Sequence, residues 1–538
     1  PGVIMEEAKR IPYGVSNFVE VVEQNQYYVD KTMYLPLLEE QPNYLFFIRP
    51  RRFGKSIFLS MLRAYYDTAQ KDKFEKRFGN LWIGSRPTRL QGTFQILFLD
   101  FSRVGGLDGT LAQNFDDYCC GGLDDFASIY EPYYYPGFEQ DMKAQNGTTN
   151  KLNFLDRKAR NNGSKLYLIV DEYDNFTNVV LNEQGDKVYH ALTHASGFYR
   201  EVFKKFKGMF DRIFMTGVSP VTLDDLTSGF NIGWNISTDH QFNMMLGFSE
   251  TDVREMLQYY KEAGQLASDT DIDAMVEEMK PWYDNYCFAE ESLERDPKMF
   301  NCDMVLYYLR HYITLGKSPK EMIDPNTRTD YNKMKKLIRL DKLDGDRKGV
   351  LRKITEEGQI ITTLVTTFPA TDIAKPEIFP SLLFYYGMLT ITDTCGKRMV
   401  LSIPNNNVRQ QYYEFLLEEY QEREHINLND LADLFDDMAY DGHWRETLEF
   451  IAHAYKENSS VRSAIEGERN LQGFFTAYLS TNAYYLIAPE VELNHGYCDL
   501  FLMPDLIRYD AKHSYIIELK YLSARIPKRK QKLNGKRL

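Results

Sequence analysis

The sequence predicts an α/β fold that opens with a parallel β-sheet and closes with a second, smaller α/β region. Short apolar runs alternate with helix-like stretches, and a parallel strand buried on both faces is apolar along its whole length. The runs are residues 44–48, 96–100, 166–170 and 212–217. Alternating strand patterns around Asp499 and Glu518 predict the second region.

The first apolar run leads into a loop with phosphate-binding chemistry. Residues 49–56 read Arg-Pro-Arg-Arg-Phe-Gly-Lys-Ser, and apolar residues recur at helical spacing after them. A strand, a loop with Gly54 and a helix N-terminus let backbone N–H groups surround phosphates. We expect Lys55 to neutralise the terminal phosphates of a nucleoside triphosphate and the Ser56 hydroxyl to ligate Mg²⁺.

The loop is unusual in its arginines, which are Arg49, Arg51 and Arg52. Arg49 stands where the common phosphate-loop pattern has its first glycine. We expect the arginines to add donors for phosphate, although arginine cannot relax the backbone as glycine does. A chance Gly-Lys-Ser on a surface turn is the alternative, and the flanking strand and helix patterns disfavour it.

A second candidate site follows the third apolar run. Asp171 and Glu172 come directly after it, and the carboxyl end of a parallel strand delivers such residues to one edge of the sheet. We expect Asp171 to hold the Mg²⁺ shell and Glu172 to polarise the attacking water. An acidic turn is the alternative. Thr216, near the end of the fourth run, and Ser219, just after it, are candidates for contacting the γ-phosphate or the water, or for capping a helix or turn.

Residues near the end of the sequence have a spacing suited to phosphodiester chemistry. Asp499 precedes Glu518 by nineteen residues, and adjacent strands joined by a hairpin would bring these carboxylates together to bind Mg²⁺. Lys520 projects from the same face as Glu518. Glu468, on the preceding amphipathic helix, and Glu492 are further candidate ligands. Glu-x-Lys on a solvated strand face is the ordinary alternative.

Length and composition predict several domains without a membrane segment. A chain of 538 residues is longer than a single hydrophobic core supports. No apolar run in it approaches the length of a membrane span. Six cysteines lack metal-ligand or disulfide-framework spacing, which indicates reduced thiols in a cytoplasm. The formal net charge of −13 argues against a surface covered with nucleic acid-binding charge and still allows a local basic groove.

Segments spread along the chain match one family pattern. They are Ile11-Pro12-Tyr13-Gly14, Tyr28-Val29-Asp30-Lys31-Thr32, residues 49–56, Asp171-Glu172-Tyr173-Asp174, Thr216-Gly217-Val218-Ser219-Pro220 and Trp282-Tyr283-Asp284-Asn285-Tyr286-Cys287-Phe288. Together they resemble bacterial AAA-ATPase-like proteins with a C-terminal PD-(D/E)XK nuclease domain. The arginine-rich loop is usual in that family. Two residues depart from the pattern. The family pattern has glycine at the position of Asn285 and proline at the position of Cys302.

The resemblance implies a P-loop NTPase parallel sheet, a mainly helical middle region and a C-terminal restriction-endonuclease-like α/β domain. The expected boundaries are residues 1–245, 246–400 and 401–538. The middle region should begin with a capped helix at Ser249-Glu250-Thr251-Asp252. Eighteen residues follow Lys520, fewer than the helix and strand that normally complete a nuclease sheet need.

We therefore expect an ATP-binding P-loop protein, an ATPase coupled to a Mg²⁺-dependent nuclease-like domain that acts on DNA or RNA. ATP and Mg²⁺ are the expected cofactors, and no membrane partner is expected. The competing hypothesis is a nucleotide-dependent switch without enzymatic activity, whose helical and C-terminal parts bind a protein partner. GTP in place of ATP stays open.

Overall fold

The computed structural model describes residues 7–105, 111–177, 186–222, 233–327, 347–423, 426–457, 468–493 and 496–520. The chain divides into two compact units. The first comprises Pro1–Arg347 with Ile361–Asn405, and the second Lys348–Ile360 with Asn406–Leu538. The boundary expected at residue 401 lies close to this division, whereas the one expected at residue 245 falls inside the first unit.

The described strands have two to nine residues. They are β1 (Tyr44–Ile48), β2 (Gln95–Asp100), β3 (Leu166–Asp171), β4 (Arg212–Gly217), β5 (Val221–Thr222), β6 (Trp234–Asn235), β7 (Gln359–Thr362), β8 (Phe368–Pro369), β9 (Thr390–Cys395), β10 (Arg398–Ser402), β11 (Tyr485–Leu493), β12 (Gly496–Pro504) and β13 (Tyr515–Ile517).

The helices are α1 (Phe18–Glu23), α2 (Tyr34–Glu39), α3 (Lys55–Tyr66), α4 (Phe74–Phe78), α5 (Leu111–Tyr130), α6 (Phe138–Lys143), α7 (Gly147–Asn162), α8 (Asp186–Met209), α9 (Glu250–Glu262), α10 (Ile272–Tyr283), α11 (Cys302–Leu315), α12 (Arg347–Glu357), α13 (Phe379–Tyr385), α14 (Asn406–Arg423), α15 (Leu428–Asp441), α16 (Trp444–Glu457) and α17 (Glu468–Leu479). Short 3-10 turns lie at Thr68–Lys73, Trp82–Ser85, Phe101–Arg103, Glu131–Tyr133, His240–Phe242, Glu290–Ser292, Pro325–Thr327, Ala370–Ala374 and Pro376–Ile378.

A parallel five-stranded sheet forms the centre of the first unit. Its strand order is β2-β3-β4-β1-β6, and all its pairings are parallel. The four strands expected from apolar runs are confirmed. The fifth strand, β6, has only two residues, which is too short for an apolar run that would predict it. In register, Phe47 lies opposite Thr216 and Asp100 opposite Asp171, which gathers the carboxyl ends of four strands at one edge.

A helical core follows the sheet within the same unit. Helix α9 begins with the expected capping box, in which the Ser249 hydroxyl accepts the Asp252 N–H and the Asp252 carboxylate accepts the Ser249 N–H. On this helix Val253, Met256 and Leu257 are buried. They pack with α10 and α11 in one apolar cluster. Apolar burial at helical spacing therefore stabilises this region.

The second unit combines helices with an antiparallel sheet. Its strand order is β11-β12-β13. The apolar residues Leu500 and Leu502 of β12 are buried, as alternation along a strand requires. Helix α14 packs against α17, and α15 packs against α16. Among the described residues of the whole chain, no helix has the length and apolar character needed to span a membrane.

Candidate functional site

The loop between β1 and α3 adopts a conformation that exposes a helix N-terminus. Gly54 has φ 87° and Arg52 has φ 68°, both in the left-handed region, which glycine adopts freely and arginine adopts under strain. Gly54 is the N-cap of α3, and no side chain caps this end. The first N–H groups of α3 therefore need acceptors, which an anion supplies.

Lys55 lies buried at the start of α3. Its Nζ donates to the carbonyl oxygens of Arg49 at 2.7 Å and Pro50 at 2.9 Å. Burial lowers the pKa of the Lys55 ammonium, and the charges of Asp171 and Glu172 oppose that effect. The two carbonyls thus compensate the buried ammonium locally, because an unpaired buried charge is costly.

Asp171 links the loop to the neighbouring strands. Its Oδ2 accepts a hydrogen bond from the Ser56 hydroxyl at 2.8 Å, and its Oδ1 accepts one from the Thr216 hydroxyl at 3.0 Å. Strand β4, which carries Thr216, lies between β1 and β3. Burial raises the pKa of the Asp171 carboxyl, and the hydrogen bond from Ser56 opposes this rise. Hydroxyl and carboxylate oxygens are the ligand types that fit Mg²⁺.

Glu172 follows the strand in a left-handed conformation with φ 49°. Burial raises the pKa of its carboxyl, and the charge of Arg51 opposes this rise more than any other neighbouring group. A half-buried carboxyl that feels the charge of an arginine, one residue from Asp171, has the setting of a catalytic acid or base. The sequence expectation for Glu172 as the water-polarising group stays a prediction.

Asp174 is a site residue whose role the sequence reasoning missed. Its carboxylate accepts hydrogen bonds from the Ser219 N–H at 2.9 Å, the Ser219 hydroxyl at 2.6 Å and the Val218 N–H. Ser219, a candidate for contacting phosphate or capping a turn, is thereby held by Asp174, whereas Thr216 reaches Asp171. The pattern that could have revealed this was a third acid, two residues after the Asp-Glu pair.

The three loop arginines occupy different environments. Arg49 is 1% exposed and donates to the carbonyl oxygens of Ile48, Ser237 and Phe242 at 2.7–3.0 Å. Arg52 donates to the carbonyl oxygen of Asn326 and lies 4.0 Å from the Asp303 carboxylate. Arg51 is close enough for its charge to act on Glu172 and Lys55. The structure therefore brings Arg51 near the acidic pair and directs the other two guanidinium groups to protein carbonyls.

An apolar pocket adjoins the loop. Its walls come from the segments at residues 12–31, from the loop and first turn of α3, and from residues 246–256 and 302–306. Lys31 lines it, and its Nζ donates to the Met244 carbonyl oxygen at 2.8 Å and lies 3.6 Å from Asp252. Residues 11–14 and 28–32 match the family pattern, and the sequence alone indicates no role for them.

The C-terminal candidates meet at adjacent strands. Strands β12 and β13 pair antiparallel, with Leu500 opposite Ile517, and continuing this register by one pair sets Asp499 opposite Glu518. Asp499 Oδ2 accepts the Leu519 N–H at 2.6 Å. The Lys520 Nζ lies 2.6 Å from Glu518 Oε1, and both side chains are 59% exposed.

For the remaining acidic candidates, Glu468 and Glu492, the structure describes the position of the backbone only. Glu468 begins α17, and Glu492 lies opposite Tyr497 in the β11–β12 ladder. Their side chains lie outside the described part of the structure. Within the described ranges, no group of three or more His, Cys, Asp or Glu side chains is placed to hold a metal ion. Asp499 and Glu518 are the candidate metal ligands of this unit whose side chains the structure describes, and Glu468 and Glu492 stay predictions.

Comparison with known proteins finds one family match within each unit. Residues 12–227 match the family described as predicted AAA-ATPase, and residues 466–536 match the PD-(D/E)XK nuclease superfamily. A protein of Azotobacter chroococcum mcd 1, named as an uncharacterized protein in the vnfD 5' region, is 26% identical over 288 residues. The match covers 53% of this chain and 50% of that protein, so the chain spans about half the length of this relative. Both matches agree with the architecture expected from the sequence, an AAA-ATPase-like region followed by a PD-(D/E)XK nuclease-like region.

Proposed function

We propose that the first unit binds ATP with Mg²⁺ and hydrolyses it, and that the second unit cleaves phosphodiester bonds in nucleic acid. The observation that carries the first part is the hydrogen-bonded set of Ser56, Asp171 and Thr216 next to Lys55. These groups come from α3, β3 and β4 and converge at one edge of a parallel sheet. That edge is where such sheets bind ligands.

Phosphate binding requires Lys55 to change partners. Its ammonium now donates to two loop carbonyls, and a phosphate oxygen with full negative charge is a stronger acceptor. The uncapped N–H groups of α3 would then bond phosphate oxygens. Ser56 and Asp171 are the residues that would hold Mg²⁺, which neutralises phosphate charge when bound.

The apolar pocket beside the loop is the proposed place for the nucleotide base. Gly54 and Ile57 belong both to the wall of this pocket and to the region that contacts phosphates. A base held there and phosphates held by the loop would share one continuous site. Apolar walls with few polar groups are usual for the heterocycle of a bound ligand.

A titration tests the nucleotide site. Lys55→Ala should weaken binding of MgATP roughly 10- to 100-fold, the scale of losing a hydrogen-bonded charge. Lys151→Ala is the matched control, because Lys151 is also buried and its Nζ also donates to a carbonyl oxygen, that of Met142. Calorimetry of both variants and the wild type decides the question. Equal affinity in Lys55→Ala and wild type would remove the nucleotide site from this loop.

The proposed nuclease site rests on the placement of Asp499, Glu518 and Lys520. The two carboxylates would hold Mg²⁺ or Mn²⁺ jointly, and Lys520 would orient water or stabilise the charge that develops at phosphorus. Lys520 would first have to leave Glu518. Carboxylates held close together repel one another unless a cation compensates, so metal binding and this ion pair compete.

A cleavage assay with plasmid and single-stranded substrates tests this site. Asp499→Asn keeps an acceptor for the Leu519 N–H but removes the charge, so it should abolish Mg²⁺-dependent cleavage without unfolding the chain. Lys520→Ala should lose cleavage and retain the metal. Lys512→Ala is the matched control, since Lys512 pairs with Asp510 at the same two-residue spacing on an exposed segment. Cleavage that survives Asp499→Asn would contradict the proposal.

A nucleotide-dependent switch is the second candidate function. The Glu518–Lys520 ion pair and the bond from Leu519 to Asp499 occupy the polar groups that catalysis would use. In this case the chain would bind ATP with neither turnover nor cleavage. ATPase and nuclease assays on one preparation, each with and without the other ligand, separate the two functions.

A further inference from the structure

The segment at residues 284–288 packs against the loop at residues 49–54, which we call the phosphate loop. This segment belongs to the family pattern, and the proposed function does not use it. We propose that Arg49 and Phe288 position this loop and that neither contacts phosphate. The inference rests on the proposed nucleotide site and adds to it two residues that act through Lys55. It differs from the sequence expectation, which placed Arg49 among the phosphate ligands.

Arg49 is fixed by contacts on both faces and at its end. Its Cζ lies 4.1 Å from the ring centroid of Phe47 and 4.0 Å from that of Phe288. Its terminal nitrogens donate to carbonyl oxygens in β1 and in the segment at residues 237–242. A planar guanidinium suits this combination of stacking and fanned hydrogen bonds, and an ammonium does not.

Phe288 is itself held in place and extends the contact to the other end of the loop. Its N–H donates to Asn243 Oδ1 at 2.8 Å. The ring of Phe53 meets the rings of Tyr286 and Phe288 edge to face, with centroids 4.9 and 5.6 Å apart. Segment 284–288 therefore contacts the loop on both sides of Pro50.

The middle of the loop is also tightly packed. A Cβ atom at Gly387 would lie 2.8 Å from Pro50 Cβ, so only glycine allows this approach. The carbonyls of Arg49 and Pro50 are the two acceptors of the Lys55 ammonium. Holding Arg49 and Pro50 in place thus also holds the Lys55 ammonium in the position it has before phosphate binds. If these two residues became disordered, the ammonium would be misplaced.

Lysine substitution separates a positioning role from phosphate contact. A phosphate ligand that acts as a point charge tolerates Arg49→Lys, because lysine keeps the charge that phosphate binds. A stacked positioning residue does not, so we expect Arg49→Lys to weaken MgATP binding roughly tenfold or more. Arg63→Lys is the matched control, since the Arg63 guanidinium also stacks on a ring, that of Phe98 at 4.1 Å, but lies near the end of α3.

Substitution of Phe288 supplies the decisive measurement. Phe288→Leu should reproduce the loss in Arg49→Lys, and the double variant should lose no more than the larger single variant. Phe288→Tyr keeps the aromatic face and should bind like the wild type. Calorimetry gives the affinities, and thermal melting without nucleotide confirms that each variant is folded.

The outcomes are distinct. Wild-type affinity in both Arg49→Lys and Phe288→Leu, with binding lost in Lys55→Ala, would overturn this inference and leave the nucleotide site intact. Additive losses in the double variant, or equal losses in Phe288→Tyr and Phe288→Leu, would also overturn it. Unchanged affinity in Lys55→Ala would instead reject the proposed function.

Discussion

At the scale of single residues, Glu172 combines a strained backbone conformation with a carboxyl whose pKa is raised. Its φ of 49° is unusual for a residue other than glycine, asparagine or aspartate, and such conformations cluster at functional sites. We expect Glu172→Gln to retain MgATP and to lower the turnover number roughly a hundredfold or more, the scale of losing a general base. Steady-state kinetics and calorimetry on the same variant check both parts. Unchanged turnover would assign the base to another residue.

The raised pKa of Glu172 also predicts how activity depends on pH. Catalysis needs the carboxylate, so turnover should fall as pH decreases through a pKa that burial has raised above the ordinary value of 4.5. The fold responds in the opposite direction. A folded pKa above the unfolded one means that the protonated form is favoured in the folded state, so this residue costs stability at higher pH and the cost disappears as pH falls.

Two pH profiles separate these effects. The acidic limb of kcat should disappear in Glu172→Gln, measured relative to the residual turnover, whereas the pH dependence of the melting temperature should lose only the contribution of one buried carboxyl. An acidic limb that persists unchanged in the variant would mean that another group, such as Asp171, controls it.

At the scale of elements, the end of β4 is held by a close approach to the segment after β3. A Cβ atom at Gly217 would lie 2.9 Å from both Asp174 Cγ and Tyr173 Cε1. Gly217→Ala should therefore destabilise the first unit by about 1–3 kcal/mol, as overpacking does. It should also weaken MgATP binding, because Thr216 is the preceding residue.

Gly208→Ala provides the contrast for Gly217→Ala. Gly208 lies in α8, and no atom lies within 4 Å of a Cβ added there. Alanine is the better helix former, so this variant should gain about 0.5–1 kcal/mol. Denaturant unfolding measures both variants. Equal effects of the two substitutions would remove the packing argument for β4.

The sequence was sufficient for elements whose cause is local. The strands β1 to β4 are continuous apolar runs, and the capping box of α9 lies within four residues. The contacts of the loop arginines, by contrast, are made with residues far away in the sequence. Arg49 meets Ser237 and Phe288, about 190 and 240 residues further along the chain, and no pattern around Arg49 announces these partners. Three neighbouring arginines therefore looked alike in sequence and differ in the fold.

The same distinction applies to the C-terminal residues. Their spacing predicted adjacent strands, and β12 and β13 do pair, in a register that, continued one pair beyond Leu500 and Ile517, sets Asp499 opposite Glu518. The hydrogen bond from Leu519 to Asp499 could not be predicted, because it depends on how the chain continues after the three-residue strand β13. Strand pairing follows from the apolar pattern, whereas the pairing of exposed charges depends on rotamers and solvent.

At the scale of the whole molecule, the phosphate loop connects to the last residues of the first unit through segment 284–288. Asn285 Nδ2 donates to the Pro404 carbonyl oxygen at 3.0 Å, and Asn405 Nδ2 donates to the Asp284 carbonyl oxygen at 2.9 Å. Asn405 ends the first unit, and the chain continues into α14 of the second. Hydrogen bonds therefore link segment 284–288, which packs against the loop, to residues 404 and 405 at the end of the first unit.

Asn285→Gly tests this connection with little disturbance of the backbone. Asn285 has φ 82°, which glycine adopts without strain, so the variant loses chiefly the hydrogen bond to Pro404. We expect MgATP to change amide hydrogen exchange at residues 403–406 in the wild type, and Asn285→Gly to bind MgATP normally but to lose most of that change. Asn25→Gly is the control, since Asn25 also has positive φ and donates its side-chain amide to a carbonyl oxygen, that of Glu7. If the exchange response in Asn285→Gly matches that of wild type and Asn25→Gly, nucleotide binding reaches residues 403–406 by another route or not at all.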